Sequence, residues 1–178
     1  MPVRKRLIRR LVDDLLDRAG VCAAPVPVDE IAQEAGAQVT YESAEDSLSG
    51  FLYRAPGPGK RPIIGINEDH PKPRQRFSVA HELGHFLLHS GDQLHVDRGG
   101  QYQIKLRNEE SSKGIDPEEK EANAFAAELL MPQKFLESDL DEIRSLNDEA
   151  VANLAERYEV SQQAMAFRLA NLGYIELE

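Results

Sequence analysis

The stretch that decides the fold reads Phe77-Ser78-Val79-Ala80-His81-Glu82-Leu83-Gly84-His85-Phe86-Leu87-Leu88. Its apolar side chains recur on most sides of a helix, which indicates a helix that is buried on several faces. The helix follows Pro71 and Pro73 and extends to about Ser90, where Gly91 ends it. The sequence therefore predicts a long helix inside the core, with two histidines and a glutamate on it.

Upstream of this helix the chain predicts a small sheet. Short apolar runs separated by turns rich in Ser, Gly and Pro indicate strands at 37–41, 48–53 and 62–66. Helical spacing of apolar residues predicts two earlier helices, at 4–18 and 28–35. We expect the strand at 48–53 to lie at an edge of the sheet, where an extended substrate could pair with it.

Downstream of the central helix, residues 91–115 are polar and Gly-rich and predict a loop, with one strand at Tyr102 to Leu106. A helix start follows at Asp116-Pro117-Glu118-Glu119, with aspartate as N-cap, proline at the first position and glutamate at the third. Pro132 predicts the end of this helix.

The C-terminal residues 146–173 predict two helices joined around Val160-Ser161, in a helix-turn-helix-like arrangement. The predicted fold class is therefore α+β, with a small mixed or antiparallel sheet packed on the buried helix and a helical hairpin after it. We divide the chain into a first domain at 1–136 and a helical region at 137–178 packed on it.

Composition restricts the partners and the compartment. The 178-residue chain has a formal net charge of −10, and residues 147–178 carry two arginines against six carboxylates, which disfavours direct nucleic-acid binding. Cys22 is the only cysteine, so a reducing compartment is expected. The basic N-terminus lacks an apolar signal segment, and the chain has no run of about 20 apolar residues that could span a bilayer. These features predict a cytoplasmic protein without a membrane partner.

The helix carries residues with the spacing of a metal site. His81 and His85 are four residues apart, which places both imidazoles on one helix face about 6 Å apart along the axis. Glu82, beside His81, could accept a proton from water during attack on a carbonyl and return it to a leaving amine. The alternative is a buried histidine pair whose nitrogens bond backbone carbonyls.

A catalytic metal needs a third protein ligand. His89 extends the histidine stripe, but it lies about 12 Å along the axis from His81, too far for one helix to supply all three ligands. His95, in the predicted loop, stays open as a ligand.

The helix after Asp116 offers further carboxylates. Glu118 and Glu119 are accounted for by the first turn, where they favour the helix dipole and complete the capping box. Glu121 precedes a run of small residues that could pack closely against Gly84. A carboxylate on such an apolar helix needs a charge partner, so we predict Glu121 as the third ligand. The alternative is a solvated glutamate.

Two motifs together, His81-Glu82-Leu83-Gly84-His85 and the EANAFAAELLMP stretch at 121–132, resemble the ImmA/IrrE family of metallopeptidases. The resemblance covers about residues 25–135. It implies a gluzincin-like minimal metalloprotease, with His81, His85 and Glu121 as ligands and Glu82 as general base. It also implies a helix-turn-helix repressor as protein substrate, whose cleavage derepresses phage, mobile-element or stress-response genes.

Zinc is the expected ion for two histidines and one glutamate, and manganese is the alternative. An oxyanion donor is also needed, and Tyr102, His89, His95 or an arginine could supply it. Besides a zinc endopeptidase, two other functions fit the sequence: a non-catalytic regulatory module that binds a repressor or DNA through the C-terminal hairpin, and a zinc hydrolase of non-peptide substrates. The presence of Glu82 disfavours the non-catalytic module.

Overall fold

The computed structural model describes residues 3–91, 93–98 and 117–176. Within these ranges the chain forms seven helices and four strands. In chain order they are α1 (Lys5–Arg18), α2 (Val28–Glu34), β1 (Gln38–Glu42), β2 (Leu48–Tyr53), β3 (Ile63–Asn67), α3 (Lys72–Leu88), β4 (Leu94–Arg98), α4 (Pro117–Leu130), α5 (Gln133–Asp141), α6 (Asp148–Tyr158) and α7 (Gln162–Asn171). Across the described ranges, every helix is too short or too polar to cross a membrane.

The four strands form one mixed sheet in the order β1-β3-β2-β4. β1 runs parallel to β3, and β2 runs antiparallel to both β3 and β4. The predicted α+β fold with a small mixed sheet is confirmed. The predicted edge position of residues 48–53 is wrong, because β2 pairs with β3 on one side and with β4 on the other. Among the described strands, β4 lies at that end of the sheet.

The central helix α3 packs on β2 and β3 with one side and most extensively on α4 with another. Gly84 lies at the contact between the two helices. A Cβ atom added at Gly84 would lie 3.1 Å from Phe125 Cδ1 and 3.2 Å from Ala122 Cα. The absence of a side chain at Gly84 therefore sets how closely α3 and α4 approach, as the small residues of α4 predicted.

The predicted helices and strands agree with the structure to within one or two residues, with two omissions. β4 lies in the predicted loop, and α5 begins directly after Pro132, where the sequence predicts only the end of a helix. In β4 the side chains of Leu94 and Val96 are exposed, whereas His95 and Asp97 are half-buried. The predicted strand at Tyr102 to Leu106 and the predicted cap Asp116 lie outside the described residues.

The C-terminal hairpin of α6 and α7 packs on the rest of the molecule. Ser161 caps α7, and its side chain accepts a hydrogen bond from the Ala164 backbone at 3.1 Å. Tyr158 and Leu169 belong to the same buried core cluster as residues of α1 and α3. Arg168 also donates to Glu128 of α4 at 2.6 Å. The division of the chain at residue 136 stays a prediction.

Candidate metal centre

His81 and His85 lie on one face of α3 and are almost completely buried, with 0% and 3% of their surfaces exposed. Their Nε2 atoms are 3.1 Å apart. The four-residue spacing therefore brings the two imidazoles together, with Nε2 of each directed to the same point.

Glu119 brings a carboxylate to this point from the first turn of α4. Its Oε1 lies 3.2 Å from His85 Nε2, and its Oε2 lies 3.6 Å from His81 Nε2. Zinc bonds of about 2.0–2.1 Å in a tetrahedron would place ligand atoms about 3.4 Å apart. The three measured separations lie close to that value, so His81, His85 and Glu119 fit a divalent metal.

The structure does not bring Glu121 to the histidine pair, which corrects the predicted ligand set. Residues 119 and 121 differ by two positions, or about 200° around a helix, so their side chains leave α4 in nearly opposite directions. The carboxylate of Glu121 accepts hydrogen bonds from Arg4, through the backbone N at 3.0 Å, Nε at 2.8 Å and Nη2 at 2.6 Å. It also lies 3.2 Å from His89 Nε2.

Arg4, rather than the predicted metal, is the charge partner of Glu121. The hydrogen bonds from the Arg4 side chain are the main reason that the pKa of Glu121 falls from 4.5 to about 2. Burial opposes this shift, while the bonds from the Arg4 backbone and from His89 add to it. Glu121 is therefore a buried, ionised carboxylate whose partners are an arginine and a histidine.

Asn123 supports the pair from the same face of α4 as Glu119, four residues further along. Its Oδ1 lies 3.0 Å from His81 Nδ1. An acceptor at this distance keeps a proton on Nδ1 and directs the lone pair of Nε2 towards Glu119 and His85. Both ring nitrogens of His85 also contact side chains, so the alternative of a pair bonded to backbone carbonyls does not describe it.

Strand β4 adds two side chains to the group. His95 Nε2 lies 3.3 Å from Glu119 Oε1, and the His95 ring centroid is 3.9 Å from that of His85. His81, His85, His95 and Glu119 together could hold a metal ion, and Asp97 forms a second such group with His81 and Glu82. His95 is one of the ligand candidates expected from the sequence, whereas Asp97 is a residue that the sequence-based prediction lacks. Alternation of two polar residues with Leu94 and Val96 was the signal for both.

Glu82, the predicted general base, is completely buried beside His81. It lies under β2, since a Cβ atom added at Gly50 would be 3.7 Å from Glu82 Cγ. The close approach at Gly50 is to the Gly65 carbonyl, which would lie 2.9 Å from the added Cβ atom, whereas the distance to Glu82 is an ordinary contact. The structure places Glu82 next to the candidate ligands, as the sequence predicted.

A cleft of about 350 Å³ opens beside the group, and its walls include the side chains of His85, His95 and Glu119. Arg54 also lines it and donates from Nη2 to the carbonyls of His85, at 2.9 Å, and His89, at 3.2 Å. The His85 carbonyl also accepts from the His89 backbone N at 3.3 Å, so Arg54 adds a second donor there and links it to the His89 carbonyl just beyond α3. Among the proposed oxyanion donors, Tyr102 lies outside the described residues.

A protein family described as the IrrE N-terminal-like domain matches residues 32–170. This chain belongs to that family. The match confirms the resemblance to the ImmA/IrrE family. The family's relatives described below are named as metalloproteases, which implies a divalent metal. The matched range also extends past residue 136 and so includes most of the C-terminal hairpin.

Two relatives carry the name radiation response metalloprotease IrrE. The protein of Deinococcus radiodurans is 34% identical over 107 residues, which are 60% of this chain and 30% of the relative. The protein of Deinococcus deserti is 33% identical over 108 residues, which are 61% of this chain and 36% of the relative. The matched part of this chain therefore spans about a third of the length of these relatives.

A solved structure described as a Mycobacterium tuberculosis transcriptional regulator has a similar fold. The TM-score is 0.61 at 13% identity, and the match covers 93% of this chain and 46% of the other. At this identity the similarity concerns the fold alone. It extends over nearly the whole of the chain.

Proposed function

We propose that this chain is a zinc-dependent endopeptidase of the cytoplasm. The observation that carries the proposal is the convergence of His81, His85 and Glu119 to within 3.1–3.6 Å, with Glu82 buried beside them. The names of the two relatives as metalloproteases support the same activity.

Zinc suits this donor set, because two imidazoles and one carboxylate are ligands typical of its catalytic sites, and manganese is the alternative ion. When bound, the metal would act as a Lewis acid that polarises a carbonyl and makes water a stronger nucleophile. The protein's contribution is to hold the three ligands in place, with Asn123 fixing the orientation of His81.

Glu82 accepts the proton of the attacking water and passes it to the nitrogen of the leaving amine, so the peptide bond breaks with no net proton change. His95 is the candidate donor to the carbonyl oxygen, where negative charge develops. Its side chain is 27% exposed, more than that of His81 or His85, and it lines the cleft. A substrate entering the cleft would therefore meet His95.

The proposed substrate is a helix-turn-helix repressor whose cleavage derepresses phage, mobile-element or stress genes. The support for this substrate is the family resemblance carried by the two motifs at 81–85 and 121–132. The net charge of −10 agrees with a protein substrate rather than with DNA.

The test is incubation of the purified protein with helix-turn-helix repressors encoded beside its gene, followed by mass analysis of the fragments. We expect one cut, abolished by a chelator and restored by added zinc. Glu82→Gln is the matched control, since the amide cannot accept the proton of water and should reduce turnover by roughly 10²- to 10⁴-fold with metal content unchanged.

Unchanged turnover in metal-loaded Glu82→Gln would refute the role of Glu82. Stoichiometric zinc without cleavage of any of these repressors, or of unfolded protein substrates, would contradict endopeptidase activity and favour the non-catalytic module.

A further inference from the structure

His89 lies between the candidate metal centre and Glu121, and each of its two ring nitrogens contacts one of them. Its Nδ1 lies 3.3 Å from Nδ1 of His85, and its Nε2 lies 3.2 Å from Glu121 Oε2. The three side chains thus form a continuous line from α4 to the nitrogen of His85 that faces away from Glu119. All three residues are buried, with 3%, 9% and 7% of their surfaces exposed.

The positions of the protons along this line follow from the chemistry of the end groups. If His85 binds a metal through Nε2, its neutral ring carries the proton on Nδ1, which must donate to Nδ1 of His89. His89 then carries its own proton on Nε2 and donates it to the carboxylate of Glu121. Each hydrogen bond has one donor and one acceptor, so a single set of tautomers satisfies the whole line.

Arg4 fixes the far end of the line. Its guanidinium donates two hydrogen bonds to the Glu121 carboxylate, and its backbone N donates a third. Nη2 of the same residue also lies 3.4 Å from the carbonyl of Leu88, at the end of α3. Glu121 is therefore held against α3 by the N-terminal segment, which leaves its Oε2 directed at His89.

We propose that His89 and Glu121 are positioning residues for His85, acting through its Nδ1 atom. The proposal rests on the proposed metal-dependent function, since it concerns how one of the ligands is oriented. It also gives Glu121 a role at the site other than that of a ligand. A hydrogen bond to Nδ1 fixes the tautomer and the ring angle of a metal-binding histidine and makes it a stronger ligand.

The matched control is Glu128, a second buried glutamate on α4. Glu128 is 6% exposed and pairs with Arg168 at 2.6 Å, so it resembles Glu121 in burial, helix and type of partner. It is absent from the groups of described side chains that could hold a metal. Glu128→Gln should therefore reproduce any general effect of removing a buried charge on α4, without an effect on His85.

The first measurement is the zinc affinity of Glu121→Gln, His89→Leu and Glu128→Gln, by competition with a chelator. We expect the first two to bind zinc ~10- to 100-fold more weakly than wild type, at unchanged stoichiometry under saturating zinc. Glu128→Gln should bind zinc as wild type does. His89→Gln should recover part of the affinity, because its amide oxygen can accept from Nδ1 of His85.

The second measurement is the tautomer of each histidine in zinc-loaded protein labelled with ¹⁵N-histidine. We expect His81 and His85 with the proton on Nδ1, and His89 with the proton on Nε2. In Glu121→Gln the amide is a weaker acceptor, so we expect His89 to populate both tautomers.

Wild-type affinity in both Glu121→Gln and His89→Leu, or a proton on Nδ1 of His89 in wild type, would overturn this inference. An equal loss of affinity in Glu128→Gln would also overturn it, because the effect would then be general to α4. Failure of the proposed function looks different, since the wild-type chain itself would then bind no zinc, or would bind zinc without cleaving any substrate while the affinities of the variants still differed as expected.

Discussion

Two faces at the start of α4 each carry a glutamate, and the two glutamates contact different partners. We call the face with Glu119 the first face and the face with Glu121 the second face. The face with Glu119 and Asn123 meets His81 and His85, whereas the face with Glu121 meets Arg4 and His89. Both carboxylates come from one turn of one helix, and both belong to polar groups around α3.

The difference shows that helical phase, rather than residue type, decides which carboxylate lies against the histidine pair. Gly84 contacts Ala122 and so fixes which side of α4 faces α3. Counted from Ala122 at about 100° per residue, Glu119 and Asn123 project to one flank of that side, at about +60° and +100°, and Glu121 projects to the other flank, at about −100°. Glu121 reaches α3 one turn further on, at His89.

The largest expected effect in this comparison comes from removing the Asn123 side chain, which orients His81 from the first face. Asn123→Ala deletes the acceptor at Nδ1 of His81, so we expect zinc affinity to fall ~10- to 100-fold. Competition with a chelator measures this change. Asn153→Ala, at an exposed position on α6, should have no effect. Equal affinities in the two variants would show that Asn123 does not orient the ligand.

An effect of comparable size, on stability rather than on metal affinity, is expected from moving the two helices apart. Gly84→Val places branched carbons where even one Cβ atom would lie 3.1–3.3 Å from Phe125 and the backbone of Ala122. We expect a loss of ~1–3 kcal/mol in the free energy of unfolding, from overpacking. Urea unfolding of the metal-free protein measures this loss, and Gly84→Ala should lose less. A valine variant as stable as wild type would contradict the tight contact.

The smallest effect concerns the pH dependence of the second face. The pKa of Glu121 is about 2 in the folded protein against an ordinary 4.5, so its ionised form stabilises the fold above about pH 4.5. This contribution is lost as the pH falls from 4.5 towards 2. Arg4 is half-exposed, so we expect Arg4→Ala to reduce the contribution by only ~1 kcal/mol or less.

The measurement for this prediction is urea unfolding of wild type and Arg4→Ala at pH 6 and pH 3, with chelator present so that metal release does not contribute. We expect wild type to lose more stability than the variant between the two pH values. Equal losses would mean that Arg4 does not hold the pKa of Glu121 down.

Most of the fold could be predicted from the sequence, because its elements have strong local signals. The apolar pattern of α3, the turns around the first three strands and the Ser161 cap all gave the correct element type. β4 could not be recognised by its hydrophobic side, since His95 and Asp97 face the polar site and Leu94 and Val96 face outwards. This inverted alternation is a consequence of the site itself.

The part of the candidate site that could be predicted is also the part with a strong local signal. The spacing of His81 and His85 within one helix determines their geometry, so the structure brings the pair together beside Glu82, and their roles as ligands and general base stay predictions. The third carboxylate comes from another helix, where the contact with Gly84 determines the facing side. The sequence accounts for Glu119 by the helix start and favours Glu121 as the ligand, because the partner Arg4, 117 positions away, cannot be recognised from sequence.

The central claim is that the metal is held by His81, His85 and the first face of α4. It is tested most directly by the zinc content of Glu119→Ala and Glu121→Ala, purified and dialysed side by side against buffer with excess free zinc. We predict that Glu121→Ala retains close to one zinc per chain and that Glu119→Ala loses most of it. Retention of zinc by Glu119→Ala with loss from Glu121→Ala would contradict the account.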